Sequence, residues 1–283
     1  MEKSLRAYEN LDFLRSPAAR AIRVECEMTE PAFRLYPYGI HKTLVIFGSA
    51  RTLPKADAEA ALAAVERKIA ERPFGEDEKK AMLRRARQDL KNSHYYEAAR
   101  QLSYELTKWT LEAYPLAADR FYVCSGGGPG IMEAANRGAF EAGGKTMGLG
   151  ITLPKEQQLN PYISPTLGFN FRYFFVRKYW FLKLARALIV FPGGFGTMDE
   201  LFEMLTLVQT GKSGRKIPII LFGREFWDSV VNFKKFDELG YISPEDLNDF
   251  VIVDTVAEAR EIIIREITAG GPLADGPDPV DMD

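Results

Sequence analysis

The sequence predicts an α/β protein built on a doubly wound parallel sheet with helices on both faces. Three observations predict it. From residue 43 onward, short apolar runs alternate with longer amphipathic ones, the succession of strand and crossover helix that a parallel sheet demands. Two junctions between such runs are dense in glycine, Gly126-Gly127-Gly128-Pro129-Gly130 and Pro192-Gly193-Gly194-Phe195-Gly196. The chain of 283 residues, 46% hydrophobic and 27% charged, is long enough to bury a substantial core. The expected organisation is one domain over residues 1–268 with a helical insert at about 55–114, and a disordered tail over 269–283, where Gly, Pro and Asp accumulate.

The elements follow in order. A charged helical opening gives way to an irregular Pro-containing stretch reaching about Tyr38. Thr43-Leu44-Val45-Ile46-Phe47 is the first strand and ends in Gly48-Ser49-Ala50-Arg51. Lys55 to Arg72, Glu76 to Lys91 and Ser93 to Tyr114 show helical spacing, broken at Pro73, Gly75 and Asn92. Phe121 to Cys124 is a strand leading through the first glycine turn into a helix that ends near Ala142, capped by Gly143-Gly144. Thr146 to Leu153 is the next strand, followed by a Pro- and Asn-rich loop and a helix over Phe174 to Arg186. Ala187 to Phe191 is a strand, the second glycine turn follows, and a helix runs from Thr197 to about Thr210. Ile217 to Phe222 and Phe250 to Val253 are the last strands, each followed by a helical segment.

Bulk properties exclude several functions. A net charge of −2 gives no support for a nucleic-acid partner. Two cysteines, Cys26 and Cys124, and two histidines, His41 and His94, leave no pattern for a disulfide scaffold or a metal centre. No secretory signal and no apolar run of membrane-spanning length are visible, so no membrane partner and a cytoplasmic location are expected.

The junction at 191–200 carries the most chemistry. Glycines let the backbone approach a ligand, and the unsatisfied N–H groups of a helix start attract phosphate. Glu200 follows Thr197 by three residues, placing a carboxylate on the same helix face. Thr197-x-x-Glu200 is also the pattern of a capping box, which needs no ligand, although a cap does not require three glycines before it. An independent signal comes from residues 174, 177, 181 and 184, which share a helix face: three are Phe174, Phe181 and Leu184, so Arg177 points inward or into a cleft. An internal ion pair or a stem reaching water competes there with a ligand phosphate or support of Glu200. Lys178, one position off the stripe, is expected in solvent.

The other glycine signals discriminate between cofactors. At 126–130 a dinucleotide fingerprint would need a small residue where Ile131 stands, and a ribose-binding acid where Leu153-Pro154-Lys155 stands, so NAD and FAD are disfavoured. Gly144-Lys145-Thr146 and Gly211-Lys212-Ser213 imitate the end of a P-loop but lack its first glycine and lie at helix ends. Met132, Phe169 and Phe175 are candidates to stack on a purine, with core packing as the competing role for each.

Taken together, Gly126 to Glu133, Arg177-Lys178 and the run Pro192-Gly193-Gly194-Phe195-Gly196-Thr197-Met198-Asp199-Glu200 resemble the LOG (lonely guy) family of nucleotide phosphoribohydrolases, over about Thr43 to Thr268. The Gly48-Ser49-Ala50-Arg51 segment and the helical insert resemble its longer bacterial branch, AMP nucleosidase-like and often labelled lysine decarboxylase. The resemblance implies a Rossmann-like fold, a homodimer with the site near the subunit interface, and no cofactor or metal. It also implies hydrolysis of the N-glycosidic bond of purine nucleoside 5′-monophosphates, AMP or an N6-substituted AMP such as a cytokinin riboside 5′-monophosphate, to free base and ribose 5-phosphate. Carried over, the catalytic pair is Arg177 and Glu200. Substrate binding falls to Ser49, Gly126, Gly127, Gly128, Met132, Gly193, Gly194, Gly196 and Thr197. The alternative is a non-catalytic nucleotide or molybdenum-cofactor carrier using the same cradle. No pyridoxal-phosphate lysine context is present, which argues against the decarboxylase label.

Overall fold

The computed structural model describes residues 5–152 and 158–269. In chain order the elements are α1 (Leu11–Arg15), α2 (Arg20–Leu35), β1 (Thr43–Phe47), α3 (Lys55–Glu71), α4 (Glu76–Ala113), β2 (Tyr122–Ser125), α5 (Ile131–Glu141), β3 (Thr146–Ile151) and β4 (Gly168–Phe171). They continue as α6 (Phe174–Leu184), β5 (Ala185–Val190), α7 (Phe195–Gln209), β6 (Ile219–Phe222), α8 (Arg224–Val230), α9 (Phe233–Glu238), β7 (Phe250–Val253) and α10 (Val256–Ala269). The strands form one seven-stranded sheet in the order β4-β3-β2-β1-β5-β6-β7, and every neighbouring pair is parallel. The chain therefore winds outward from β1 to one edge and then restarts at β5 toward the other, the predicted doubly wound α/β arrangement. At that reversal the loops after β1 and β5 part, opening a crevice above the carboxyl ends of both strands.

Alternate strand residues feed two apolar layers, as the twofold period of a strand requires. Val45, Phe47, Leu188 and Val190 pack toward Val176 and Phe181 of α6 and Leu201 and Met204 of α7. Leu44, Ile46, Ile189 and Ile220 pack toward Tyr96, Leu102 and Leu106 of α4 and Ala134 of α5. The helices carrying Arg177 and Glu200 thus lie on one face, and the long α4 on the other.

Four expectations need correction. Asn92 does not break the insert: α4 is a single helix of 38 residues, held by buried Ala86, Ser93, Tyr96 and Ala99, and the Asn92 side chain accepts a hydrogen bond from Gln88 Nε2 at 2.9 Å. Tertiary contacts override its weak propensity. The stretch before Tyr38 is helical, α2 running through Pro31. Pro31 cannot donate to the Glu27 carbonyl four residues back, and the indole of Trp180 does so instead at 3.0 Å. The predicted loop after β3 contains the edge strand β4, paired Leu149 to Phe169 and Ile151 to Phe171. The helix expected to reach Arg186 stops at Leu184, with β5 following directly from Ala185. Leu153-Pro154-Lys155 and the tail beyond Ala269 lie outside the described residues.

Glu27 does more than accept from Trp180. Its carboxylate accepts from the backbone N–H groups of Arg172 at 2.9 Å and Tyr173 at 3.3 Å. A residue of α2 therefore caps the start of α6, whose own Tyr173 offers no side-chain cap.

Candidate active site

Backbone contacts stitch three loops together at the crevice. Ser49 N–H donates to the Pro192 carbonyl at 3.0 Å, joining the loops after β1 and β5. Ile131 N–H donates to the Ser49 carbonyl at 3.0 Å, joining the start of α5 to the same point. Gly130 adopts φ +69°, and a side chain there would run into the Ser49 and Ala50 backbone.

The second glycine turn enters α7 three residues earlier than the capping-box pattern suggests. The helix begins at Phe195 after Gly194, with no side-chain cap, so Thr197 sits in its first turn and the Thr197–Glu200 box does not form. The physical reason is the packing of the Thr197 side chain onto Gly193, where it fills the space a β-carbon would take. The first helical bond runs from Met198 N–H to the Gly194 carbonyl at 3.0 Å, which leaves the N–H groups of Phe195, Gly196 and Thr197 without helical partners. These residues, with Gly193 and Gly194, wall a cavity of about 720 Å³. Ser49, Arg51, Met132, Arg177 and Glu200 line the same space.

Arg177 and Glu200 are brought together but not into a hydrogen bond. Arg177 Nη1 lies 3.9 Å from Glu200 Oε1, and their side chains are only 13% and 11% exposed. The guanidinium is held from its other side: Nε donates to the Leu149 carbonyl at 2.7 Å, and the group lies over the Phe181 ring. With the pair this long, loss of water outweighs mutual attraction. Burial pushes the Glu200 carboxyl up to about 7, against the pull of Arg177 and Lys178, while Glu203 and Asp199 add to the rise. Burial likewise lowers the Arg177 guanidinium despite Glu200.

The stripe that pointed Arg177 inward holds in part. Phe181 and Leu184 are buried, whereas Phe174 is exposed at the cavity rim. Lys178 is not solvated as expected. Its side chain is 18% exposed, and Nζ lies 2.9 Å from Asp199 and 2.8 Å from Glu203 on α7. The i,i+4 spacing of those two acids beside Glu200 is the signal that sequence reasoning passed over.

Gly126, Gly127 and Gly128 are buried and do not line this cavity. Asn160 clasps the turn, its Nδ2 donating to the carbonyls of Gly127 at 3.2 Å and Gly128 at 3.1 Å. Ser125 Oγ accepts from Gly127 N–H at 3.0 Å. The turn bears on the site through Gly126, which makes room for Arg177 and Met132. Of the three purine-stacking candidates, Met132 reaches the cavity. Phe169 is buried beneath the Arg34 guanidinium, 3.7 Å from its ring centroid, and Phe175 leans on Tyr173 away from the cavity. Among the described residues no cluster of three or more His, Cys, Asp or Glu suits a metal, and no helix is long and apolar enough to cross a membrane.

The chain is similar to several known proteins. A family model described as possible lysine decarboxylase matches residues 132–263, the span from Met132 into α10 that includes Arg177 and Glu200. Cytokinin riboside 5′-monophosphate phosphoribohydrolase LOG3 of Arabidopsis thaliana is 28% identical over 183 residues, 63% of this chain and 73% of that protein. The LOG7 enzyme of the same plant is 28% identical over 177 residues, 61% of this chain and 74% of its own. Among solved structures, the molybdenum cofactor binding protein from Rippkaea orientalis aligns with a TM-score of 0.42 at 19% identity, covering 61% of this chain and 88% of that one. The family model and these relatives agree in one likeness: the chain is similar to the LOG phosphoribohydrolases.

Proposed function

We propose that this protein hydrolyses the N-glycosidic bond of purine nucleoside 5′-monophosphates, releasing the free base and ribose 5-phosphate. The observation that carries this reading is the position of Glu200. It is a buried carboxyl titrating near 7, on the helix whose unpaired N–H groups open onto the same cavity. The names of the relatives support the substrate class.

In this scheme the 5′-phosphate rests on the N–H groups at the start of α7, aided by the partial positive charge of the helix end. Binding energy gathered there orients the ribose against Glu200. As the C1′–N bond breaks, positive charge grows on the sugar, and the ionised carboxylate stabilises it. Glu200 takes a proton from water as the water oxygen bonds to C1′, and that proton passes through solvent to a ring nitrogen of the departing base, which leaves as the neutral purine and returns Glu200 to its carboxylate form. Arg177 steadies the charged form of Glu200 across 3.9 Å without quenching it. Lysine decarboxylation fits these residues poorly. That chemistry needs a free lysine for its pyridoxal cofactor, and among the described residues none lines this cavity. The apolar rim of Phe174, Val230 and the 97% exposed Phe195 is where we expect a second copy of the chain to pack.

Incubation with a panel of nucleoside 5′-monophosphates, followed by assay of free base, tests the reading. Release of adenine from AMP or its N6-substituted analogues is expected. Tight binding without turnover would instead mark a nucleotide or molybdenum-cofactor carrier.

A further inference from the structure

A second, larger cavity of about 1060 Å³ adjoins the one that holds Glu200. The two share Ser49, Arg51 and Gly193 as a common wall. Arg177, Glu200 and Met132 line the first cavity and not the second. The connection is therefore at the phosphate end of the site rather than at its sugar end. The far wall of the second cavity is the middle of α4, including Arg85, Asp89 and His94.

The charges in this cleft are unevenly committed. Lys91 is paired with Glu225 across it. Arg51 and Arg85 make no salt bridge or side-chain hydrogen bond among the described residues, and the carboxylate left to oppose them is Asp89. Two uncommitted guanidiniums thus border an open cleft that begins where a 5′-phosphate would end. Guanidinium groups bind phosphate oxygens strongly, often through two parallel hydrogen bonds.

Building on the proposed nucleotide site, we propose that the second cavity receives a further phosphate, so that the protein also binds nucleoside 5′-diphosphates. The α-phosphate keeps its place on the α7 turn. The β-phosphate passes Gly193 and is met by Arg51 and Arg85. The insert helix α4, which takes no part in the hydrolysis scheme, then acts as a reader of phosphate number.

Calorimetric titration of the full chain with AMP and with ADP tests this, alongside the Arg85→Ala variant. Arg85 is exposed on α4, so its truncation leaves the fold intact. ADP is expected to bind at least as tightly as AMP. Arg85→Ala should weaken ADP about ten-fold, the loss of one charge-assisted contact, and leave AMP binding and turnover unchanged. Equal ADP affinity in the two proteins, or ADP binding ten-fold weaker than AMP in the parent, would overturn the proposal. Hydrolysis of AMP without Arg85-dependent ADP binding removes the second subsite alone. Arg85-dependent ADP binding without hydrolysis keeps the subsite and removes the proposed reaction.

Discussion

The guanidinium of Arg177 rests against the α-carbon of Gly126, so closely that a β-carbon there would lie 2.6 Å from Nη2. The buried glycine turn after β2 thereby sets the reach of an arginine from α6. Gly126→Ala is expected to push aside the Arg177 and Met132 side-chain ends rather than the backbone. The variant should fold, with Tm close to the parent, and lose turnover by one to two orders of magnitude, roughly the cost of a small misplacement at a catalytic group, the role proposed for Arg177. A Tm comparison together with kcat separates these effects.

Glu200→Gln keeps the shape of the site and removes the proposed base. Turnover should fall by about two to four orders of magnitude, with KM for the nucleotide little changed, because the phosphate anchor on α7 is untouched. Steady-state kinetics of free-base release checks both parameters. Wild-type turnover in this variant would remove Glu200 from the mechanism.

The pH dependence has a definite sign. A carboxylate acting as base must be ionised, so turnover should rise with pH around a midpoint near 7. Stability should move the other way. The folded-state value lies above the ordinary 4.5, so Glu200's contribution is fully present below 4.5 and is lost as pH rises through about 7. At 1.36 kcal/mol per pKa unit the loss amounts to about 3 kcal/mol. Denaturant unfolding at pH 5 and pH 8 should show Glu200→Gln gaining on the parent by roughly that amount as pH increases. An unchanging difference would mean that burial does not shift this carboxyl.

Lys178 couples the two helices of the site, bridging Asp199 and Glu203 on either side of Glu200. Lys178→Met removes a cation that lowers the Glu200 carboxyl and frees two carboxylates that raise it. The pH–rate midpoint should therefore climb by about one unit, and turnover at pH 7 should drop by roughly five-fold with recovery at alkaline pH. A pH–rate profile distinguishes this from a general loss of packing, which would lower the plateau and leave the midpoint in place.

Trp180 and Pro31 offer a paired test of stability. Trp180→Phe leaves the Glu27 carbonyl without its donor and should cost about 1–3 kcal/mol. Pro31→Ala restores a backbone N–H four residues after Glu27, so the double variant should be less destabilised than the sum of the two single changes. Unfolding free energies of the three variants, set out as a double-mutant cycle, check the sign of that coupling.

What the sequence discloses and what it conceals follow from the range of the interactions. The strand, glycine turn and helix over 185–209 are encoded by neighbours, and so is the inward bias of Arg177. β4 escapes notice because Gly168-Phe169-Asn170-Phe171 is short and lies at an edge, so only its pairing with β3 defines it. The unbroken α4 is set by packing against α5, which no local propensity reports. Lys178 misleads because its position on α6 is polar by helical count, whereas its partners belong to α7. Likewise, Gly193 explains the absent capping box only once Thr197 is seen folded onto it.

Glu27 gives the two halves of the site different histories in folding. The glycine turn at the start of α7, the proposed phosphate anchor, is assembled from residues within a few positions of one another, and a local search suffices to form it. The helix that carries Arg177 takes its cap from a carboxylate 145 residues earlier in the chain, so its first turn is complete only after a long loop has closed. Refolding should accordingly restore nucleotide binding at the turn before it restores turnover, with a lag set by the docking of α2 onto α6.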